Sequence, residues 1–162
     1  MIISSKQNDT IKYLNSLKET KTIKQTGLCL VESKKVVMDL IKQNLITELV
    51  LTEKNKGLFV GHKIKTTLIS PEISHYLSET KTDDGVFGVC KISVTSEPKG
   101  DKVLVLDNVQ DPSNVGSIIR SAVAFGYLDI IMIDGAYPYA PKVVRSSMGH
   151  VFNVNIFFYT YA

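Results

Sequence analysis

The sequence of 162 residues holds no apolar run near the roughly 20 residues that a membrane-crossing helix needs. Its first ten residues are polar and lack the apolar centre of a secretion signal. These absences predict a chain with no membrane partner, and the cytoplasm is its expected location. Cysteine is scarce. Cys29 and Cys90 stand far apart, each within an apolar stretch, which reads as two buried free thiols with a disulfide as the alternative. The histidines His62, His75 and His150 keep no metal-ligand spacing with cysteine or acid, so no metal centre is expected. No G-x-G-x-x-G follows a strand-like run and no G-x-x-x-x-G-K-[ST] occurs, which disfavours the common dinucleotide folds and the P-loop enzymes. No Ser-His-Asp pattern and no catalytic-cysteine setting stands out.

What is present is enough apolar residue, 44%, for a packed core, and a length that suits one large domain or two small ones. The net charge of +3 is unevenly spread. Residues 1–100 carry 15 Lys/Arg against 11 Asp/Glu, and residues 101–162 carry 4 against 5. Lys6, Lys12, Lys18, Lys21 and Lys24 crowd near the start. A basic front is compatible with contact to a phosphate backbone. From charge alone the plainer reading, an ordinary solvated lysine face, is favoured.

Hydrophobic spacing predicts an α/β order. Residues 6–24 read as one lysine-rich helix with Ile11, Leu14 and Leu17 on one side. Strands follow at 27–31, 45–51, 63–69 and 86–92, with a helix over 33–44 and a short one that Ser70 caps and Pro71 opens. A polar stretch, 93–100, contains Pro98 and Gly100 and marks a boundary. This divides the chain into a domain at 1–95, a linker at 96–100 and a second domain at 101–162. The second begins with a wholly apolar strand, 103–106, of the buried parallel type. A helix at 112–125, a strand at 130–133, a short helix at 141–148 and a strand at 154–158 complete a parallel sheet with short connections.

Residues 106–126, LDNVQDPSNVGSIIRSAVAFG, hold the chemistry. They join the carboxyl end of a strand to a helix start, where ligands sit in open α/β sheets. Asp111 suits a cap and Pro112 a first helical turn. At about 100° per residue, Val115, Ile118, Ile119, Ala122 and Val123 share one arc, and Asn114, Ser117, Arg120 and Ser121 the other. Arg120 and Arg145 are the only arginines. The polar face starts at a strand–helix junction, where free N–H groups attract anions, and the choice of arginine in a chain otherwise rich in lysine suggests a forked contact to phosphate or carboxylate.

Read from Asp107 to Gly126, the pattern D-N-x-x-D-P-x-N-x-G-x-x-x-R-x-A-x-A-F-G resembles the first signature of the SpoU/TrmH family of RNA 2′-O-ribose methyltransferases, within the SPOUT superfamily. The stretch 138–149, PYAPKVVRSSMG, resembles that family's next signature, P-K-V-x-R-x-S-x-G, which leads to a strand. Residues 30–32 (LVE) and 77–80 (LSET) are weaker marks of its small substrate-binding domain, although Ser33 stands where the family often has glycine.

The resemblance implies a ribosomal-protein-like α/β substrate-binding domain followed by a SPOUT (α/β-knot) parallel-sheet domain. It implies methyl transfer from S-adenosylmethionine to a ribose 2′-hydroxyl of structured rRNA or tRNA, and a homodimer. Asn114 and Arg120 would be active-site residues, Lys142, Arg145 and Ser146 would meet RNA beside them, and Glu32 would have a structural or interface role. Asn114 would hold the arginine or the ribose, or merely cap the helix. Arg120 would hold phosphate and steady the developing oxyanion, since a base role conflicts with a pKa above about 12. The family's G-x-E-x-x-G and S-L-N-V-S segments do not occur. The sequence thus reads as a C-terminally truncated form with an incomplete knot, the cofactor residues unassigned and turnover in doubt. The alternative for this chain is a non-catalytic RNA-binding or assembly module.

Overall fold

In the computed structural model, residues 1–94 and 97–161 are described. They form two compact units, Met1–Ile92 and Ser93–Ala162. Among the described residues no helix is long and apolar enough to cross a membrane. The expected linker begins at Ser96, which with Thr95 and Ala162 lies outside the described residues. Lys99 and Gly100 belong to the second unit, where their N–H groups donate to the Asp129 carboxylate at 2.9 to 3.0 Å.

The first unit is built on a five-stranded sheet of order β1-β4-β3-β5-β2. Its strands are β1 (Ile2–Ile3), β2 (Leu28–Glu32), β3 (Ile46–Thr52), β4 (Lys65–Ile69) and β5 (Val86–Lys91). β1, β4 and β3 are mutually parallel, while β5 runs antiparallel to both β3 and β2. Its helices are α1 (Asp9–Ser16), α2 (Thr20–Thr26), α3 (Lys34–Lys42) and α4 (Pro71–Leu77). Ile11, Leu14, Leu17, Ile73 and Leu77 pack with the sheet residues Leu30, Val50, Ile69, Phe87 and Val89 into one buried cluster. α3 buries Val36, Val37, Leu40 and Ile41. The expected cap on α4 is present, with the Ser70 hydroxyl accepting the Ile73 N–H.

The single helix expected over 6–24 is instead two. No proline or glycine forces the break. The Leu17 carbonyl accepts the Leu30 N–H from β2 at 3.1 Å, and the Lys18 ammonium donates to the Leu77 carbonyl at 3.0 Å while pairing with Glu79 at 2.9 Å. Long-range partners thus replace the next helical turn, a tertiary override of local propensity. The same neighbourhood explains Glu32. Its carboxylate accepts the Glu79 N–H at 3.3 Å, so the two weak marks, 30–32 and 77–80, are the two sides of one contact.

The cysteines, distant in sequence, are direct cross-strand partners on β2 and β5. Both are free and buried. The hydrogen bond with Cys29, together with burial, raises the Cys90 thiol well above its ordinary range.

Ser33 has φ +96°, a conformation in which a side chain is strained. Ser33→Gly is therefore expected to raise the unfolding free energy of the first unit by about 1 kcal/mol, the relieved strain exceeding the added flexibility of the unfolded chain. Urea unfolding of the variant checks this. A lower midpoint would show that the serine is not strained.

The second unit is a parallel sheet of order β6-β7-β8, from β6 (Val103–Asp107), β7 (Asp129–Ile133) and β8 (Asn155–Tyr159). Two helices, α5 (Pro112–Ala124) and α6 (Pro141–Ser146), join the strands. The parallel pattern is as expected, but β6 is not buried throughout. Val103 and Val105 are about half exposed, at 48% and 52%, while Leu106 is buried. Among the described residues β6 pairs only with β7, which leaves its other edge without a strand. Asp129 is fully buried at the start of β7. Burial favours its neutral form, yet the N–H groups of Lys99 and Gly100 and the Asn155 amide hold its carboxyl below the usual range.

Candidate active site on the second unit

The site begins where β6 and β7 end. Asn108 turns the chain at φ +54°, and its N–H donates to the Ile133 carbonyl at 2.7 Å. Gly135, at φ +88°, lies against Val109, so a Cβ there would be 2.5 Å from the Val109 carbonyl oxygen. The Ala136 N–H donates to that oxygen at 3.0 Å. The two strand-end loops are therefore locked together through backbone, at a glycine that sequence spacing does not single out. Asp107 and Asp134 stand exposed at the two strand ends. The Tyr161 hydroxyl donates to Asp107, which together with the charge of Asp134 pushes the phenol above its ordinary value.

The next residues start α5. The Asp111 carboxylate accepts the N–H groups of Ser113 at 2.7 Å and Asn114 at 3.0 Å. The cap is thus Asp111, and the capping role considered for the Asn114 side chain is taken. The Asn114 N–H above all, helped by the Ser113 N–H and the Lys142 ammonium, holds the Asp111 carboxyl below its usual range against desolvation. A carboxyl with a lowered folded pKa stabilises the fold above its unfolded value, and that contribution is lost as pH falls through the folded value. Acid unfolding of Asp111→Asn should consequently depend less on pH below about pH 4 than that of the parent protein. Parallel acid titrations that stay superimposable would remove the cap from the site.

The buried side of α5 carries Val115, Gly116, Ile119 and Ala122. Asn114 and Arg120 are both exposed, but they do not form a pair. Six residues apart, they are turned about 120° from one another and lie about 9 Å apart along the axis. No hydrogen bond joins their side chains among the described residues, so Asn114 does not hold the arginine. Arg120 stands one turn beyond Gly116, on the flank that meets α6. Ser121, near the Asn114 flank, and Ser117, midway between the two, line an open groove of about 430 Å³ with Leu104, Ile118, Phe125 and Tyr127.

Gly116 explains how α6 comes so close. A Cβ on it would be 1.8 Å from the Ser146 Oγ and 2.8 Å from the Ser147 backbone nitrogen. Ser146, expected beside the active residues and at the RNA, lies at this helix crossing. Its hydroxyl donates inward, to the Lys142 carbonyl at 2.8 Å and the Pro112 carbonyl at 3.3 Å. Lys142 is exposed and close enough to Asp111 to act on its charge, while Arg145 is half-buried. Ser147, which sequence reasoning passed over, is fully buried, donates to the Val144 carbonyl at 3.0 Å and accepts the Val151 N–H at 3.4 Å. The helix then ends through Met148 at φ +54° and Gly149 at φ +77°. Three cations are thereby carried by two interlocked helices; α5 starts at the carboxyl end of β6, where such sheets bind ligands, and Arg120 lies about two turns further along it.

Comparison with known proteins supplies the context. A family model described as the SpoU rRNA Methylase family matches residues 101–162, and one described as an MRM3-like substrate binding domain matches residues 8–88. A 23S rRNA guanosine 2′-O-methyltransferase of Bacillus subtilis is 28% identical over 159 residues, 95% of this chain and 63% of that protein. An uncharacterized tRNA/rRNA methyltransferase of Synechocystis is 31% identical over 91% of this chain and 58% of its own length. The crystal structure of an AdoMet-bound rRNA methyltransferase from Sinorhizobium meliloti superposes with a TM-score of 0.83 at 24% identity, over 99% of this chain and 65% of that one. That likeness shows a shared fold. The chain spans about three fifths of the length of these curated relatives.

Proposed function

The chain belongs to the SpoU rRNA methylase family, and from that premise we propose that it acts in methyl transfer from S-adenosylmethionine to a ribose 2′-hydroxyl of ribosomal RNA. The observation that carries this reading is the placement of Arg120 and Lys142, exposed on two helices that Gly116 and Ser146 lock together. Two cations on a rigid frame can hold the phosphates that flank one ribose and so fix its hydroxyl in place.

The exposed carboxylates Asp107 and Asp134 at the strand ends would suit a cationic donor in charge. When bound, the donor supplies an activated methyl group. This chain's part is to orient the ribose and ease loss of its proton. Arg120 serves that by stabilising negative charge that grows on the oxygen. It stays protonated throughout and is no base. Asn114, freed from capping by Asp111, can hydrogen-bond a ribose or phosphate along the opposite flank. The same reading includes a homodimer: Val103, Val105 and Phe125 leave apolar surface uncovered along the open edge of β6 and the groove of α5.

The test is transfer of a tritiated methyl group to unmethylated 23S rRNA, followed by alkaline hydrolysis. Label on a ribose oxygen protects the adjacent phosphodiester and survives in a dinucleotide. Label on a base would displace the 2′-hydroxyl as acceptor. RNA binding with no label at all would leave a non-catalytic RNA-binding module.

A further inference from the structure

Two reactive groups of the first unit have no part in the site on the second. Cys29 and Cys90 are the only cysteines of the chain. They stand directly opposite one another on the antiparallel strands β2 and β5. Residues so placed have Cα atoms about 4.5 to 5.5 Å apart and side chains on one face of the sheet. A disulfide spans Cα separations of about 4.4 to 6.8 Å. The two thiols share a hydrogen bond, so the sulfurs are within reach of one another without a shift of either strand.

Their surroundings govern how they react. Leu30 and Val89, each one residue away, belong to the cluster that α1 and α4 complete. The cysteines therefore point to the other face of the sheet. Gly88 shares that face with Cys90, and a Cβ on it would lie 2.8 Å from the Ile46 Cδ1 and 3.5 Å from the Val37 Cγ1. The pair thus sits in the apolar layer between the sheet and α3. Its hydrogen bond to Cys29 and its burial keep Cys90 a neutral thiol, and the charge of Lys91 offsets only part of this. Such a thiol is inert while the sheet is closed. β2, however, is an edge strand: among the described residues it pairs only with β5. Local opening of an edge requires less free energy than unfolding of the whole unit, and it uncovers both sulfurs together.

We propose that Cys29 and Cys90 form a reversible dithiol–disulfide site whose oxidant is a small hydroperoxide. The proposal is independent of the methyl-transfer reading. Size selects the oxidant, since hydrogen peroxide enters a brief opening that a peptide disulfide does not fit. In the open form one sulfur, as thiolate, attacks a peroxide oxygen. The O–O bond breaks, and a sulfenic acid and water result. The second sulfur attacks the first, the S–O bond breaks, and a second water leaves. Two thiols and one peroxide thus give one disulfide and two waters, with two electrons passing from sulfur to oxygen. The new bond closes a loop of about 60 residues and ties the edge strand, with Glu32 at its end, to the interior of the sheet.

The experiment is treatment of the whole chain with hydrogen peroxide, followed by thiol alkylation and peptide mapping without reduction. The expected product has lost two hydrogens, carries no alkylated cysteine, and yields the Cys29 and Cys90 peptides joined. Dithiothreitol should restore both thiols. The urea midpoint of the bridged protein should lie above that of the reduced one. Cys29→Ser and Cys90→Ser should each abolish both the bridge and the rise in midpoint. Retention of two alkylatable thiols in the folded chain, under peroxide that bridges the urea-unfolded chain, would overturn the proposal. So would uptake of oxygen at either sulfur without a bridge, or a bridge that leaves the midpoint unchanged or lowers it.

Discussion

Gly116→Ala is expected to destabilise the second unit by about 2 to 3 kcal/mol, although helix propensity alone argues for the opposite sign. In the interior of a helix alanine is favoured over glycine by about 1 kcal/mol. At this position that gain is outweighed. The added methyl would lie 1.8 Å from the Ser146 Oγ, and 2.8 Å from both the Ser146 Cβ and the Ser147 backbone nitrogen. Rotating the serine relieves only the first of these. The other two require α6 to withdraw from α5, which opens the packing around Val115, Ile119, Val143 and Val144, all buried. Overpacking of a tight core typically costs about 1 to 3 kcal/mol. The double variant Gly116→Ala/Ser146→Gly removes the Oγ and Cβ contacts and leaves the one with the backbone, so it should regain part of the loss. A coupling of more than about 1 kcal/mol in that cycle would assign the cost to this contact. Urea unfolding supplies the numbers, and an alanine variant as stable as the parent would mean that the helices are not this close.

The same contact shows why the sequence is informative in some places and silent in others. Strand and helix order follows from hydrophobic spacing. Caps are visible because their partners are two or three residues away, as with Ser70 on the Ile73 N–H and Asp111 on the N–H groups of Ser113 and Asn114. The glycine of N-x-G reads as part of a signature, but the serine it makes room for is 30 residues further along. Distance along the chain likewise hides the pairing of Cys29 with Cys90, the lock between Gly135 and Val109, and the burial of Asp129 by the Lys99 and Gly100 N–H groups. The break between α1 and α2 carries no local mark, because an N–H on β2 and a carbonyl and an acid at the end of α4 cause it. Val103 and Val105 look like core for a related reason: an apolar run reveals that a strand can be buried, not whether a neighbouring strand covers it.

For the site, residue types were legible and their division of labour was not. Asn114 and Arg120 share a polar arc by spacing, yet they occupy its two flanks. The flank of Arg120 meets α6, and that of Asn114 leads toward the groove. The structure also turns Ser146 inward and gives Ser147 a fully buried hydrogen-bonding role. What remains outward on the interlocked helices is the Arg120 guanidinium and the Lys142 ammonium.

That leaves Arg120 with the largest expected effect on chemistry. Under the methyl-transfer reading, Arg120→Ala should lower kcat by about 10²- to 10³-fold, the usual consequence of removing one donor from a developing oxyanion. The fall should appear chiefly in kcat, because charge on the ribose oxygen grows only as the bond to the methyl forms, and an interaction specific to that moment leaves substrate binding largely unchanged. Arg120→Lys separates charge from shape. An ammonium keeps the positive charge but cannot present two parallel N–H groups to phosphate and oxygen together, so it should recover less than a tenth of the lost rate. Because Arg120 is exposed, neither variant should shift the unfolding midpoint by more than a degree or so. A loss confined to KM, with kcat intact, would reduce Arg120 to a phosphate contact. Undiminished turnover in the alanine variant would move the chemistry off this helix altogether, and the search would turn to the Asn114 flank and the serines that line its groove.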